Sequence, residues 1–194
     1  MRVVEPTSAS IDYVRAEMLA RRRALPAGVV ARSSAVVVER LRGLQEVREA
    51  RTIGAYLGIR GEVDPSAFCD DKGLDVALPV TTPGEPLRFV VPVGPLLDGP
   101  FGTRQPGDGW EVLPDDLDLV LVPVVVADQL GNRIGHGAGF YDRTFAHTRE
   151  AGRSRPLLIG LCHAFQVVPQ LEARPWDVPL DLVVTEVGLV RPGR

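Results

Sequence analysis

Apolar residues recur at helical spacing early in the chain and give way, beyond residue 50, to short β-rich runs separated by glycine and proline. Ile11, Val14, Met18 and Leu25 fall on roughly one face of residues 11–25, which predicts a helix with Ser10 as N-cap and Pro26 as its stop. Arg15, Arg21, Arg22 and Arg23 lie elsewhere around it, a basic stripe that by itself reads as a solvated face. Val30, Ser34, Val37, Leu41 and Leu44 predict a second helix over 28–50, and residues 1–9 read as a loose tail. Strands are predicted at 52–57, 74–79, 87–93, 117–126, 157–162 and 180–186, with a short helix at 64–71 opened by Pro65 and another at 139–150. The weak alternation of 87–93 suits an edge strand, and the unbroken apolar run 117–126 suits a central strand buried on both faces. Residues 94–116, rich in Gly, Pro and Asp, read as a long surface loop of the kind that serves as a lid. Alternation of strand and helix predicts an α/β three-layer sandwich with a mostly parallel sheet and an N-terminal helical segment, in one domain spanning 1–194.

Composition narrows the function classes. A net charge of −3 and no basic field argue against a nucleic-acid partner. The first ten residues lack a signal-peptide layout and no apolar run reaches membrane-spanning length, so a cytoplasmic protein without a membrane partner is expected. Cys69 and Cys162 are too few for a disulfide framework or a zinc site and are expected to be small buried residues.

The chemistry concentrates in one run, Gly131-Asn132-Arg133-Ile134-Gly135-His136-Gly137-Ala138-Gly139-Phe140-Tyr141-Asp142-Arg143, which follows the apolar strand. Alternate glycines free backbone N–H groups to approach a ligand, and Arg133, His136 and Arg143 surround them with positive or protonatable groups. With the Asp142 carboxylate, the set suits a polyphosphate and a divalent cation. The spacing fits neither a dinucleotide fingerprint, since Phe140 stands where its last glycine would be, nor a Walker A loop, since the chain's one lysine is Lys72.

Several segments together resemble the 5-formyltetrahydrofolate cyclo-ligase family. They include Arg15 with Arg21 and Arg23, Ala55-Tyr56 leading to Glu62-Val63-Asp64, Leu78-Pro79, and Phe101-Gly102 to Pro106. They continue with Asp118 to Pro123, the glycine run from Asp128 to Arg143, Ile159-Gly160, Gln166-Val167, and Leu180-Asp181 to Val184-Thr185-Glu186. The resemblance implies an ATP- and Mg²⁺-dependent closure of a reduced folate, acting as a monomer on a small molecule. The formyl oxygen on N5 attacks the γ-phosphate, and N10 closes the ring as phosphate leaves to give the methenyl bridge. By position, Arg133 and Tyr141 would be catalytic. Arg15, Arg21, Arg133, Ile134, Gly135, His136, Gly137, Ala138, Gly139, Phe140 and Tyr141 would bind nucleotide. Glu62, Tyr56 and His136 would meet the substrate, and Asp142 and Asp181 would hold the metal.

Without the resemblance, Asp142 reads equally as a helix-start carboxylate, Asp181 as a solvated strand end and Glu62 as a turn residue. His163 reads as structural or a pocket wall, His147 as a helix-surface residue, and Trp110 and Trp176 as packing residues. The chain departs from the family pattern at Ile11, where a lysine is usual, at His136 and Ala138 in the loop, and at Ala127, where an aromatic is usual. Two other functions stay open on these grounds: an enzyme of the same fold condensing another formamide or amide, and a non-catalytic folate- or nucleotide-binding protein.

Overall fold

The computed structural model describes residues 8–150 and 156–193. Its helices are α1 (Ser8–Arg23), α2 (Ala27–Arg42), α3 (Gln45–Glu49) and α4 (Phe140–Glu150). The strands are β1 (Thr52–Gly54), β2 (Asp75–Val80), β3 (Arg88–Pro92), β4 (Leu96–Asp98), β5 (Arg104–Pro106), β6 (Gly109–Val112) and β7 (Leu119–Pro123). They continue with β8 (Val126–Asp128), β9 (Arg133–Ile134), β10 (Leu157–Leu161), β11 (Val167–Val168), β12 (Leu182–Val184) and β13 (Leu189–Val190).

The main sheet runs β13-β12-β10-β7-β1-β2-β3-β6. Pairing is parallel from β12 through β10, β7 and β1 to β2, and antiparallel at the two flanks. Alternation along the strands sorts the core into two layers. Leu119, Leu121, Ile159, Leu161, Leu182 and Val184 face α2 and α3, where Val37, Val38, Leu41 and Val47 pack. Val120, Val122, Leu158 and Val183 face the other way, toward Phe145 of α4. Each such side chain contributes roughly 1.5–3 kcal/mol relative to exposure, so these two layers fix which edge of the sheet carries the loops.

Several sequence expectations shift at their boundaries. α1 begins at Ser8, before the expected Ser10 cap, and residues 1–7 of the expected tail lie outside the described residues. The second helix is two: Gly43 closes α2, and Leu44 is extended (φ −76°, ψ 138°) before α3 starts. The expected short helix is a 3-10 turn over Ser66–Asp70. β3 is not an edge strand, because β6, drawn from the expected loop 94–116, pairs outside it. That loop also folds β4 and β5 into a hairpin. The apolar run 117–126 divides at Pro123: a proline has no N–H for the ladder, and β8 leaves to join a small sheet with β9 and β11. Cys69 is exposed, contrary to expectation, and Cys162 is buried.

Candidate active site

The division at Pro123 is what aims the glycine run. After it, Asp128 organises the turn between β8 and β9 from a fully buried position. Its Oδ1 accepts from the Leu130 and Asn132 amides (2.9 and 2.8 Å), and its Oδ2 from Asn132 Nδ2 and the Leu171 amide (2.9 and 2.7 Å). All four partners are donors, so the charge is solvated by the fold itself. Gly131 is required in that turn: its φ is +84°, and a Cβ would lie 2.5 Å from the Leu180 carbonyl oxygen. β9 then delivers residues 135–139 to the start of α4, where amide groups without helical partners favour an anion.

α1 closes over this loop. Arg15 Nε donates to the Gly135 carbonyl (2.9 Å), and Arg15 also pairs with Asp12. Ile11, one turn earlier, faces the same cleft, which has a volume of about 530 Å³. Pro123 and residues 133–143 form the near wall, and Glu172, Arg174, Trp176 and Asp177 line the far one. All the expected nucleotide residues except Arg21 line it. Arg21 stacks instead on Phe165, with its guanidinium carbon 4.5 Å from the ring centroid.

At the foot of α4, Arg133 Nη2 donates to Asp142 Oδ1 (2.7 Å), and Arg133 also donates to the Val178 carbonyl. The Val178 amide donates to the same Asp142 oxygen (3.1 Å). Arg133 is thus engaged with Asp142 and the far wall. Tyr141 lines the cleft and stacks on Phe145, and burial holds its phenol above its ordinary pKa. Asp181 does not join Asp142. It precedes β12 at the amino-terminal end of the parallel strands, where its Oδ2 accepts from the Leu158 amide (2.8 Å). Among the described residues no group of three or more His, Cys, Asp or Glu side chains gathers to hold a metal. The residues therefore do not fit an all-protein cage. They do fit a cation held by Asp142 together with a ligand's phosphates, since Asp142 Oδ2 carries none of these bonds.

Behind the cleft lies a second charge cluster. Arg22 is 1% exposed and Glu62 5%. Arg22 Nη2 sits 3.2 Å from Glu62 Oε1 and 3.0 Å from His136 Nε2, and Glu62 Oε2 accepts from the Ile59 amide (3.0 Å). Burial pushes the Glu62 carboxyl up, against the pull of Arg22. His136 is lowered to about 4 by burial and then by the charges of Arg22, Arg60, Arg23 and Arg15. Tyr56 does not face the cleft: its hydroxyl donates to the Val63 carbonyl (2.6 Å) and fastens the loop that carries Glu62. His163 Nε2 meets the Gly61 carbonyl (2.9 Å) and is structural, as expected. His147 lies exposed on α4 beside Asp115 (3.1 Å).

The chain matches the model of the 5-formyltetrahydrofolate cyclo-ligase family over residues 7–186. It belongs to that family. A 5-formyltetrahydrofolate cyclo-ligase of Haemophilus influenzae is 33% identical over 76% of this chain and 83% of its own length. The cyclo-ligase of Mycolicibacterium smegmatis is 31% identical over 91% and 93%. The solved 5,10-methenyltetrahydrofolate synthetase of Aquifex aeolicus superposes with a TM-score of 0.80 at 31% identity, covering 95% of this chain and 94% of that one. Cyclo-ligases of this family convert 5-formyltetrahydrofolate to 5,10-methenyltetrahydrofolate and depend on ATP.

Some participants were not evident in the sequence. Arg22, not Arg21 or Arg23, enters the site; the expectation that set Arg15 and Arg22 apart from the face of Ile11 is corrected, since the three stand at i, i+4 and i+11, one helical face. Trp176, expected to pack, is 64% exposed on the cleft wall. Phe101, at φ +62°, reaches across from the β4–β5 hairpin: its carbonyl accepts from Arg60 Nη2 (2.9 Å), and its ring meets Phe140 edge-on at 6.2 Å. No spacing rule marks Trp176, and Phe101 is marked only by the family resemblance of Phe101-Gly102 to Pro106.

Proposed function

We propose that this chain catalyses the ATP-dependent cyclisation of 5-formyltetrahydrofolate to 5,10-methenyltetrahydrofolate. The observation that carries the reading is the closure of α1 onto the glycine loop, with Arg15 on the Gly135 carbonyl and Arg133–Asp142 at the start of α4. This arrangement offers a triphosphate amide donors, a guanidinium and one carboxylate on a single wall. Activation is needed because a formamide oxygen leaves poorly and a phosphate leaves well. The protein's contribution is to hold the formyl oxygen in line with the γ-phosphate and to stabilise the charge that develops.

In this reading Arg15 and the amides of residues 135–139 bind phosphate, and Arg133 orients Asp142. Magnesium would be held by Asp142 and the phosphates, and supplies charge neutralisation when bound. Glu62 would accept from the 2-amino edge of the pterin, giving up its 3.5 Å contact with His136. In this reading the enzyme acts as a monomer on a small-molecule folate. No helix among the described residues is long and apolar enough to cross a membrane, and we place the enzyme in the cytoplasm. The test mixes the protein with 5-formyltetrahydrofolate and Mg-ATP and follows methenyl absorbance and ADP together. Equal molar appearance of both is expected. ADP without methenyl product, or no turnover, overturns the assignment.

A further inference from the structure

We propose that Arg22 is a positioning residue that couples the substrate side of the site to its nucleotide side, by holding Glu62 with one face of its Nη2 group and fixing the tautomer of His136 with the other. The proposal rests on the nucleotide reading of the glycine loop only for its consequence, not for its geometry.

The geometry is specific. Arg22 comes from α1, Glu62 from the loop after β1 and His136 from the glycine loop, so three segments distant in sequence meet at one guanidinium nitrogen. A guanidinium has donors and no acceptor, and it keeps its protons. An imidazole nitrogen 3.0 Å from it must therefore accept, which leaves Nε2 bare and places the ring's single proton on Nδ1. The alternative, a proton on Nε2 reaching for Glu62 Oε1 at 3.5 Å, would set two donors against each other at the shorter distance. The charged groups around the ring are Arg15, Arg22 and Arg23 from α1, with Arg60 and Glu62 from the facing loop. Burial first, and then four cations against one carboxylate, keep the ring neutral.

The consequence follows from chemistry. His136 lines the phosphate cleft, and an anion there needs donors. A neutral ring with Nε2 occupied can present a donor through Nδ1 alone, so the tautomer decides whether His136 attracts or repels a phosphate oxygen. Burial pushes the Glu62 carboxyl up, and Arg22 pulls against it. Arg22 Nε is anchored separately on the Arg60 carbonyl (3.3 Å), so the fork cannot swing. Its Nη1 is buried and has no hydrogen-bond partner among the described residues, so the anchor is not built for maximal stability.

The decisive measurement needs no ligand. A long-range ¹H–¹⁵N spectrum of the wild-type protein should show His136 neutral, with its proton on Nδ1, throughout pH 5.5 to 8 (roughly the range in which an unperturbed histidine titrates). In Arg22→Met the ring should exchange tautomers and titrate at least about one pH unit higher, because one cation is gone and Glu62 becomes its partner. Arg22→Lys, which keeps the charge, should hold the ring neutral. In turnover, Arg22→Met should raise KM for ATP about tenfold and add an acid-limb ionisation to the pH profile, and Arg22→Lys should recover most of this. A wild-type ring protonated on Nε2, or a His136 titration unmoved in folded Arg22→Met, overturns the proposal. If Arg22→Met does not fold, the wild-type tautomer still decides it. If the tautomer is as expected but ATP does not bind, the nucleotide reading fails and the positioning role of Arg22 stands.

Discussion

The two ends of the parallel strands use carboxylates in opposite ways. At the amino-terminal end, Asp118 stands one residue before β7 and its Oδ2 accepts from the Arg51 and Thr52 amides at the start of β1 (2.8 and 3.1 Å). Asp181 repeats the arrangement before β12, accepting from the Leu158 amide of β10. Both stitch a neighbouring strand into register. At the carboxyl-terminal end, Glu62 and Asp142 each accept from one backbone amide, of Ile59 and Val178, and in addition face a guanidinium, Arg22 and Arg133. A carboxylate held by backbone donors is committed to the fold. One that also faces a guanidinium carries a charged contact that a ligand can share. The comparison teaches that two carboxylates expected at one metal stand at opposite ends of the strands, with Asp181 on a strand amide and Asp142 on the cleft.

The largest effect that tests this contrast is on turnover. Asp142→Ala should lower kcat/KM by about 100-fold or more, the scale for losing one group that stabilises developing charge, and the loss should persist in the folded fraction even though Arg133 and the Val178 amide lose their acceptor and stability falls as well. Turnover within a fewfold of wild type, measured with Mg-ATP and 5-formyltetrahydrofolate, would break the assignment of Asp142 to the site. Asp181→Ala should do the reverse. It leaves a strand amide without its acceptor and should cost about 1–2 kcal/mol of stability, read by denaturant unfolding, while the folded fraction keeps its activity. Activity abolished in well-folded Asp181→Ala would return that residue to the metal and erase the distinction between the two ends.

Acid sharpens the contrast further. His136 is lowered from its ordinary 6.5 to about 4, so the unfolded chain takes up its proton first. Its contribution is present above pH 6.5 and is lost as pH falls through that window toward 4. Glu62, whose carboxyl is raised, opposes this, because the folded state then takes up its proton more readily. Because the His136 side chain is 38% exposed, the net loss should be on the order of 1 kcal/mol or less. Unfolding free energies at pH 7 and 5 should differ less in His136→Gln than in wild type; an equal difference would mean the ring is not held neutral. The smallest effect is expected at Ile11, which lines the cleft beside Arg15. Ile11→Lys should lower the ATP half-saturation concentration severalfold, since a close ammonium escapes screening where a distant one does not. No change, or an increase, would show that this helix face does not meet phosphate.

Much of the frame was legible from pattern alone. The helical face of α1, the strand-and-helix alternation and the aim of the glycine run at the start of α4 all follow from local periodicity and from what glycine permits. The family motifs also group Arg15, Gly135 to Tyr141 and Asp142, and all of these line one cleft. Boundaries failed where a single residue interrupts a strong pattern, as at Gly43 and Pro123, because apolar content is unchanged on either side of the break.

What the sequence by itself determined is the fold class, the family and the glycine loop that lines the cleft, all properties of residues close together in the chain. Only the tertiary structure decided that Glu62 and His136 share Arg22, that the Tyr56 hydroxyl meets a loop carbonyl and that Asp181 meets a strand amide. Each of those depends on which partner arrives from another segment. In a buried site the nearest donor or cation sets a carboxylate's role, and that distance is not written in local spacing.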